Sequence, residues 1–203
     1  MIVNGLDQLL ATSLERIIKE NLGENTIEKI QNRLFEKYGI SLTQSIKEFQ
    51  KIDTVLKEFF GSGANGIETK FLQDICKVKS RDKTNKKWII KDEKISQLIL
   101  ESFRDDHKTS IINSIIDEPK IISDILNENK IPQTSGYRKM NQMIIDGLIV
   151  PMDSVIIEGR KVVKYKSLFD GVQIKIVKNK ITIEVELNSQ NFDNSLILQT
   201  IHN

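Results

Sequence analysis

The chain has 203 residues, of which 39% are apolar and 29% charged, and its net charge is +2. That length and balance suit one large globular domain or two small ones and exclude a disordered chain. A protein that binds polyanions over its whole surface is usually more basic, so any nucleic-acid contact is expected to be local.

No run of about 18 apolar residues occurs, so no membrane span is expected. The opening Met-Ile-Val-Asn-Gly-Leu-Asp-Gln lacks the basic and apolar parts of a signal peptide, which points to the cytoplasm. Cys76 is the single cysteine, and His107 and His202 are the two histidines. An internal disulfide is therefore excluded, and no metal or other cofactor is expected. Cys76 shares an apolar helical stripe with Leu72 and Ile75 and reads as a small core residue.

Charge is unevenly spread along the chain. Residues 77–94 carry eight basic side chains against three acidic, and residues 132–168 carry six against three. The stretches 1–76, 95–131 and 169–203 each have a small acidic excess.

In chain order, Leu6, Leu9, Leu10, Leu14, Ile17, Ile18 and Leu22 follow helical spacing, and Gly23 ends that helix. A second helix fits Thr26–Tyr38 with Gly39 beyond it. Ser41 and Gln44 have capping-box spacing, in which hydroxyl and amide each satisfy a backbone donor. The stripe Leu42, Ile46, Phe49, Ile52, Leu56 and Phe60 predicts one helix of about five turns to Gly61. Gly61–Gly66 is a flexible break, and a fourth helix carries Ile67, Phe71, Leu72 and Ile75. Residues 1–76 thus form a helical domain suited to dimerisation or sensing. Nothing in it marks a pocket.

Residues 77–94 read as a basic linker or hairpin loop, leading to a short strand at Trp88–Ile90. Ile95–Phe103 and His107–Ile116 have helical spacing. Glu118-Pro119 predicts the start of a further helix carrying Ile121, Ile122, Ile125 and Leu126. After a turn at Asn127–Lys130, Ile131 fills the corner before a helix over 132–146. Pro132 suits its start, Met140, Ile144 and Leu148 give its buried stripe, and Gly147 its stop. Its outer face carries Gln133, Thr134, Ser135, Tyr137, Arg138, Asn141 and Gln142. Amides, hydroxyls and a guanidinium on one helix face suit the major groove of DNA, although a polar surface helix has the same composition.

The period then changes to alternation. Val150–Ile157 and Arg160–Lys166 predict a hairpin turning at Glu158-Gly159, with Arg160 and Lys161 near its tip. A second hairpin follows, from Val172–Ile176 to Ile181–Leu187 across Lys178-Asn179, with an apolar face that another element or subunit must cover. The tail, with Leu196, Ile197, Leu198 and Ile201, is compatible with strand, helix or disorder. The expected class is α+β, mainly helical with small β. Residues 95–168 form a winged helix-turn-helix, and 169–203 the C-terminal hairpin and tail.

Four fragments carry a resemblance: Ile121-Ile-Ser-Asp-Ile-Leu126, Ile131-Pro-Gln-Thr-Ser-Gly-Tyr-Arg-Lys139, Asp146-Gly-Leu-Ile149 and Lys161-Val-Val-Lys-Tyr-Lys166. With them, residues 107–168 resemble the winged helix-turn-helix of archaeal transcriptional regulators related to ArsR-type repressors. The resemblance implies a homodimer on a pseudo-palindromic double-stranded DNA operator. It would bring Gln133, Thr134, Ser135 and Tyr137 to base edges and Arg138 to a base or phosphate. Lys139, Asn141 and Gln142 complete the helix set, and Arg160, Lys161 and Lys164 would steady the wing. Metal-sensing members use clustered cysteines or histidines, which this chain lacks, so metal sensing is not implied. Two rivals remain: a protein-interaction adaptor built on the same fold, and an enzyme. For the enzyme no acid–base or nucleophile set can be assembled from the sequence.

Overall fold

The structure, a computed structural model, describes residues 4–81, 85–178, 180–188 and 193–202. It is an α+β fold with two small antiparallel sheets. The N-terminal part is helical: α1 (Gly5–Leu22), α2 (Glu24–Tyr38), α3 (Leu42–Lys47), α4 (Phe49–Phe60) and α5 (Ala64–Ile75). α1 packs against α2, α3 and α5 through Leu6, Leu9, Leu10, Leu14, Ile17 and Ile18, all buried. Burying each such side chain stabilises the fold by roughly 1.5–3 kcal/mol, so this stripe dominates the bundle's energetics.

Local signals set the helix ends. Gly39 takes φ 66°, the left-handed region that glycine enters without steric cost, and its N–H donates to the Phe35 carbonyl. Ser41 and Gln44 cap one another's backbone reciprocally, as their spacing predicts. The long helix predicted from that cap is instead two. Glu48 leaves helical geometry with φ −122° and ψ 58°, and its N–H turns to the Ser45 carbonyl. The bend lets Ile46 and Phe49, on either side of it, both reach the core.

Residues 77–94, expected as a basic linker or a hairpin loop leading to a short strand at Trp88–Ile90, hold two strands. β1 (Cys76–Arg81) and β2 (Asn85–Ile90) pair antiparallel, with Trp88 buried on β2. Asp82, Lys83 and Thr84 of that basic run lie outside the described residues. β2 also pairs with β7 (Lys180–Asn188), which pairs with β6 (Phe169–Val177), giving the sheet order β1-β2-β7-β6. Glu184 on β7 accepts from Lys79 of this run at 2.8 Å and from Lys175 on β6 at 3.2 Å. These ammonium groups, Lys79 first, hold the Glu184 carboxyl below the usual carboxylate range. The C-terminal hairpin is therefore half of a sheet whose other half follows the bundle. Ile183, Val185 and Leu187 are covered, whereas Ile176 and Ile181 at its far end are exposed. Lys178 turns with φ 48°; its partner in the predicted turn, Asn179, lies outside the described residues.

The tail is a helix, α10 (Leu196–His202), which packs on α4 and α5 with Ile197 and Leu198 buried. Ser195 starts it. Its hydroxyl donates to Asp7 Oδ1 at 2.5 Å, and the Leu196 N–H donates to Asp7 Oδ2 at 2.9 Å. Burial pushes the Asp7 carboxyl up, and these hydrogen bonds partly oppose the rise.

The segment between the bundle and the C-terminal hairpin holds α6 (Glu93–Arg104), α7 (Asp106–Ser114), β3 (Lys120–Ile121), α8 (Ile122–Glu128), α9 (Gln133–Ile145), β4 (Ile149–Ile157) and β5 (Arg160–Ser167). The helix start predicted at Glu118-Pro119 is corrected. Lys120 and Ile121 are a short strand facing Tyr165 and Lys164, and α8 begins only after it. The second sheet has the order β3-β5-β4. No helix among the described residues is long and apolar enough to cross a membrane.

Candidate nucleic-acid interface

The turn into α9 is built by three residues. Lys130 takes φ 53°, the Ile131 N–H donates to the Leu126 carbonyl at 2.9 Å, and the Ile131 side chain is buried. Pro132 lies just outside the helix as its cap, and its carbonyl accepts from the Gly136 N–H at 2.8 Å. A Cβ at Gly136 would stand 2.5 Å from Leu126 Cδ2, so α8 and α9 cross closely at this glycine. Gly136, Met140 and Met143 form the inward face of α9. Of the predicted stripe, Met140 and Leu148 are buried and Ile144 is half-buried; Met143 was the missing member.

Gly147 ends the helix with φ 75°, and a Cβ there would lie 2.4 Å from the Gly5 carbonyl oxygen. The first turn of α1 therefore seats against the end of α9.

Gln133, Thr134, Tyr137, Arg138, Asn141 and Gln142 are all exposed and fall on one continuous stripe of α9. The Gln133 amide donates to Asn127 Oδ1 at 3.1 Å, and the Gln142 amide donates to Asp146 Oδ1 at 2.8 Å. The side chains of Thr134, Tyr137, Arg138 and Asn141 have no hydrogen-bonding or ionic partner among the described residues. Such groups present donors and acceptors to whatever docks there. Ile145 extends the stripe and is 67% exposed. Helical period places it there beside Tyr137, Arg138, Asn141 and Gln142.

Two members of the predicted set point elsewhere. Lys139 sits on the flank, and its ammonium pairs with the Asp105 carboxylate at the N-terminus of α7. Asp105 also accepts from the Lys108 N–H at 3.1 Å, and Lys139, ahead of the other contacts, holds its carboxyl below the usual range. Lys139 thus ties α9 to α7. Ser135 is half-buried, and its hydroxyl donates to the Pro132 carbonyl at 3.2 Å.

The β4–β5 hairpin turns at Glu158 (φ 48°) and Gly159 (φ 76°), the paired positive φ values that match the strand twist. Arg160 faces Ile157 and Lys161 faces Ile156 beside that turn, and both basic residues are exposed. Ile156 is 80% exposed, so the tip is both basic and apolar. Lys164 lies at the hairpin root, half-buried on the middle strand opposite Ile121. It is separated from the tip that Arg160 and Lys161 share.

Cys76 is buried, and burial pushes its thiol up to about 12, so it is a core residue without thiolate character at neutral pH. Among the described residues no cluster of three or more histidine, cysteine, aspartate or glutamate side chains could hold a metal ion. No family model, curated protein or solved structure matches the chain.

Proposed function

We propose that the protein is a sequence-specific DNA-binding regulator of transcription, acting as a homodimer on a pseudo-palindromic operator. In this reading α7, α8 and α9 with the β3-β5-β4 sheet form a winged helix-turn-helix, α9 is the recognition helix and the β4–β5 hairpin is the wing. The observation that carries it is the unpartnered, exposed set Thr134, Tyr137, Arg138 and Asn141 on a helix whose opposite face is core. A stripe of this width enters a major groove, where Arg pairs with guanine edges and Asn with adenine. Arg160 and Lys161 supply the phosphate contacts that make affinity depend on salt.

The test is a titration against genomic DNA fragments at two salt concentrations. A preferred fragment and a steep salt dependence are expected. Arg138→Ala should weaken binding to that fragment by about 1–3 kcal/mol, roughly five- to 150-fold. Lys79→Ala and Lys139→Ala should leave affinity within about threefold, because both ammonium groups are already engaged by carboxylates. Arg160→Ala should lower the salt slope by about one. Equal small losses from all four would remove the assigned polarity. Absence of any complex at low salt would favour the adaptor reading, to which exposed Ile145 and Ile156 lend themselves as apolar anchors.

A further inference from the structure

Glu68 on α5 is fully buried, and neither carboxylate oxygen has a hydrogen-bond partner. Across the α4–α5 seam, Asp53 Oδ1 is likewise buried without a hydrogen bond. The Lys57 ammonium lies 2.8 Å from Asp53 Oδ1 but aims its hydrogen bond at Oδ2, 3.1 Å away. The two Glu68 oxygens are the costlier, since a buried acceptor without a donor loses its solvation with nothing in return, whereas Asp53 Oδ1 keeps the Lys57 ammonium 2.8 Å away. Two ionised carboxylates at one buried site would add mutual repulsion.

One proton resolves both problems. We propose that Glu68 and Asp53 hold a single proton between them, Glu68 donating to Asp53 Oδ1, and that the α4–α5 seam is a pH-sensitive switch that loosens when this proton leaves to solvent. With Glu68 neutral, its O–H supplies the donor that Asp53 Oδ1 lacks, and Lys57 balances the charge that remains on Asp53. Asp53 and Lys57, both on α4, are the titratable groups that act on Glu68.

Burial pushes the Glu68 carboxyl up to about 8, with Asp53 adding to the rise and Lys57 opposing it. The folded chain therefore keeps a proton that the unfolded chain releases above a carboxylate's ordinary value. The stabilisation is complete below that ordinary value and is lost as pH climbs towards about 8, where it levels off. Within the window the unfolding constant should rise about tenfold per pH unit, the slope for one proton.

Two measurements on the full chain test this. The first follows the Glu68 carboxyl carbon by NMR through a pH titration. A midpoint near 8 is expected, and a midpoint at the ordinary carboxylate value overturns the shared proton. The second compares urea unfolding of the wild type with Glu68→Gln, whose amide donates to Asp53 but cannot ionise. Wild-type stability should fall from pH 5 to 8 with the one-proton slope, while the variant should lack that slope. Parallel pH profiles of the two overturn the switch. If the variant does not fold, the wild-type NMR midpoint alone decides.

Discussion

Asp92 shows how much one side chain can hold together. Its carboxylate is fully covered: Oδ1 accepts from the Ser13 hydroxyl at 2.6 Å and the Ile95 N–H at 2.8 Å, and Oδ2 accepts from Arg16 at 2.5 Å. It caps α6 and fixes that helix to α1 in the same set of bonds. Asp92→Ala should cost about 2–4 kcal/mol, from the lost cap and an unpaired Ser13 hydroxyl. Asp92→Asn keeps an acceptor for the cap and loses only the charge opposite half-exposed Arg16, so about 1 kcal/mol is expected. Urea unfolding of the two variants separates these contributions. Equal losses would place the effect in the ion pair and not in the cap. None of this was read from the sequence, since Ser13 and Arg16 lie 79 and 76 residues away.

At the scale of elements, the features written locally were the legible ones. The Ser41/Gln44 cap, the Gly39 and Gly147 stops and the Glu158-Gly159 turn all depend on residues within a few positions of one another. Of β1 and β2 only Trp88–Ile90 was legible, because lysines hide the alternation elsewhere and because β2 pairs with a strand about a hundred residues later, which periodicity cannot register. The break at Glu48 left no trace, since apolar spacing runs through it unchanged. In the candidate interface the exposed stripe followed from helical period, whereas the Lys139–Asp105 pair spans 34 positions and left no local signal. Gly147 and Gly159 offer a comparison of two elements with nearly the same backbone geometry. A Cβ at Gly159 meets nothing within 4 Å, so Gly159→Ala should cost about 1 kcal/mol, the conformational part alone. Gly147→Ala adds a clash with the Gly5 carbonyl oxygen and the Leu9 nitrogen, and about 3 kcal/mol is expected. Chemical denaturation of both reads the difference, and equal losses would mean that α1 yields freely.

At the scale of the whole molecule, the chain closes on itself. One apolar cluster runs from Leu6 to Leu198 and includes residues of the bundle, both sheets and α10. The stretches divided at residues 76, 94 and 168 all contribute side chains to this cluster. Removing residues 193–203 should uncover the face of α4 and α5 on which Ile197 and Leu198 rest and leave Asp7 without its Ser195 donor. A loss of about 3 kcal/mol is expected once the entropy of ordering the helix is set against its burial. Thermal unfolding of the shortened chain checks it, and an unchanged midpoint would show that α10 adds nothing to stability.

Trp88 gives these experiments an optical handle. It is the chain's single indole, 2% exposed on the strand between β1 and β7, while Tyr137 stands in solvent on α9. Selective excitation of the indole reports whether the larger sheet is assembled, so a ligand that unravels the protein shifts that emission and one that only docks on the outer helix leaves it in place.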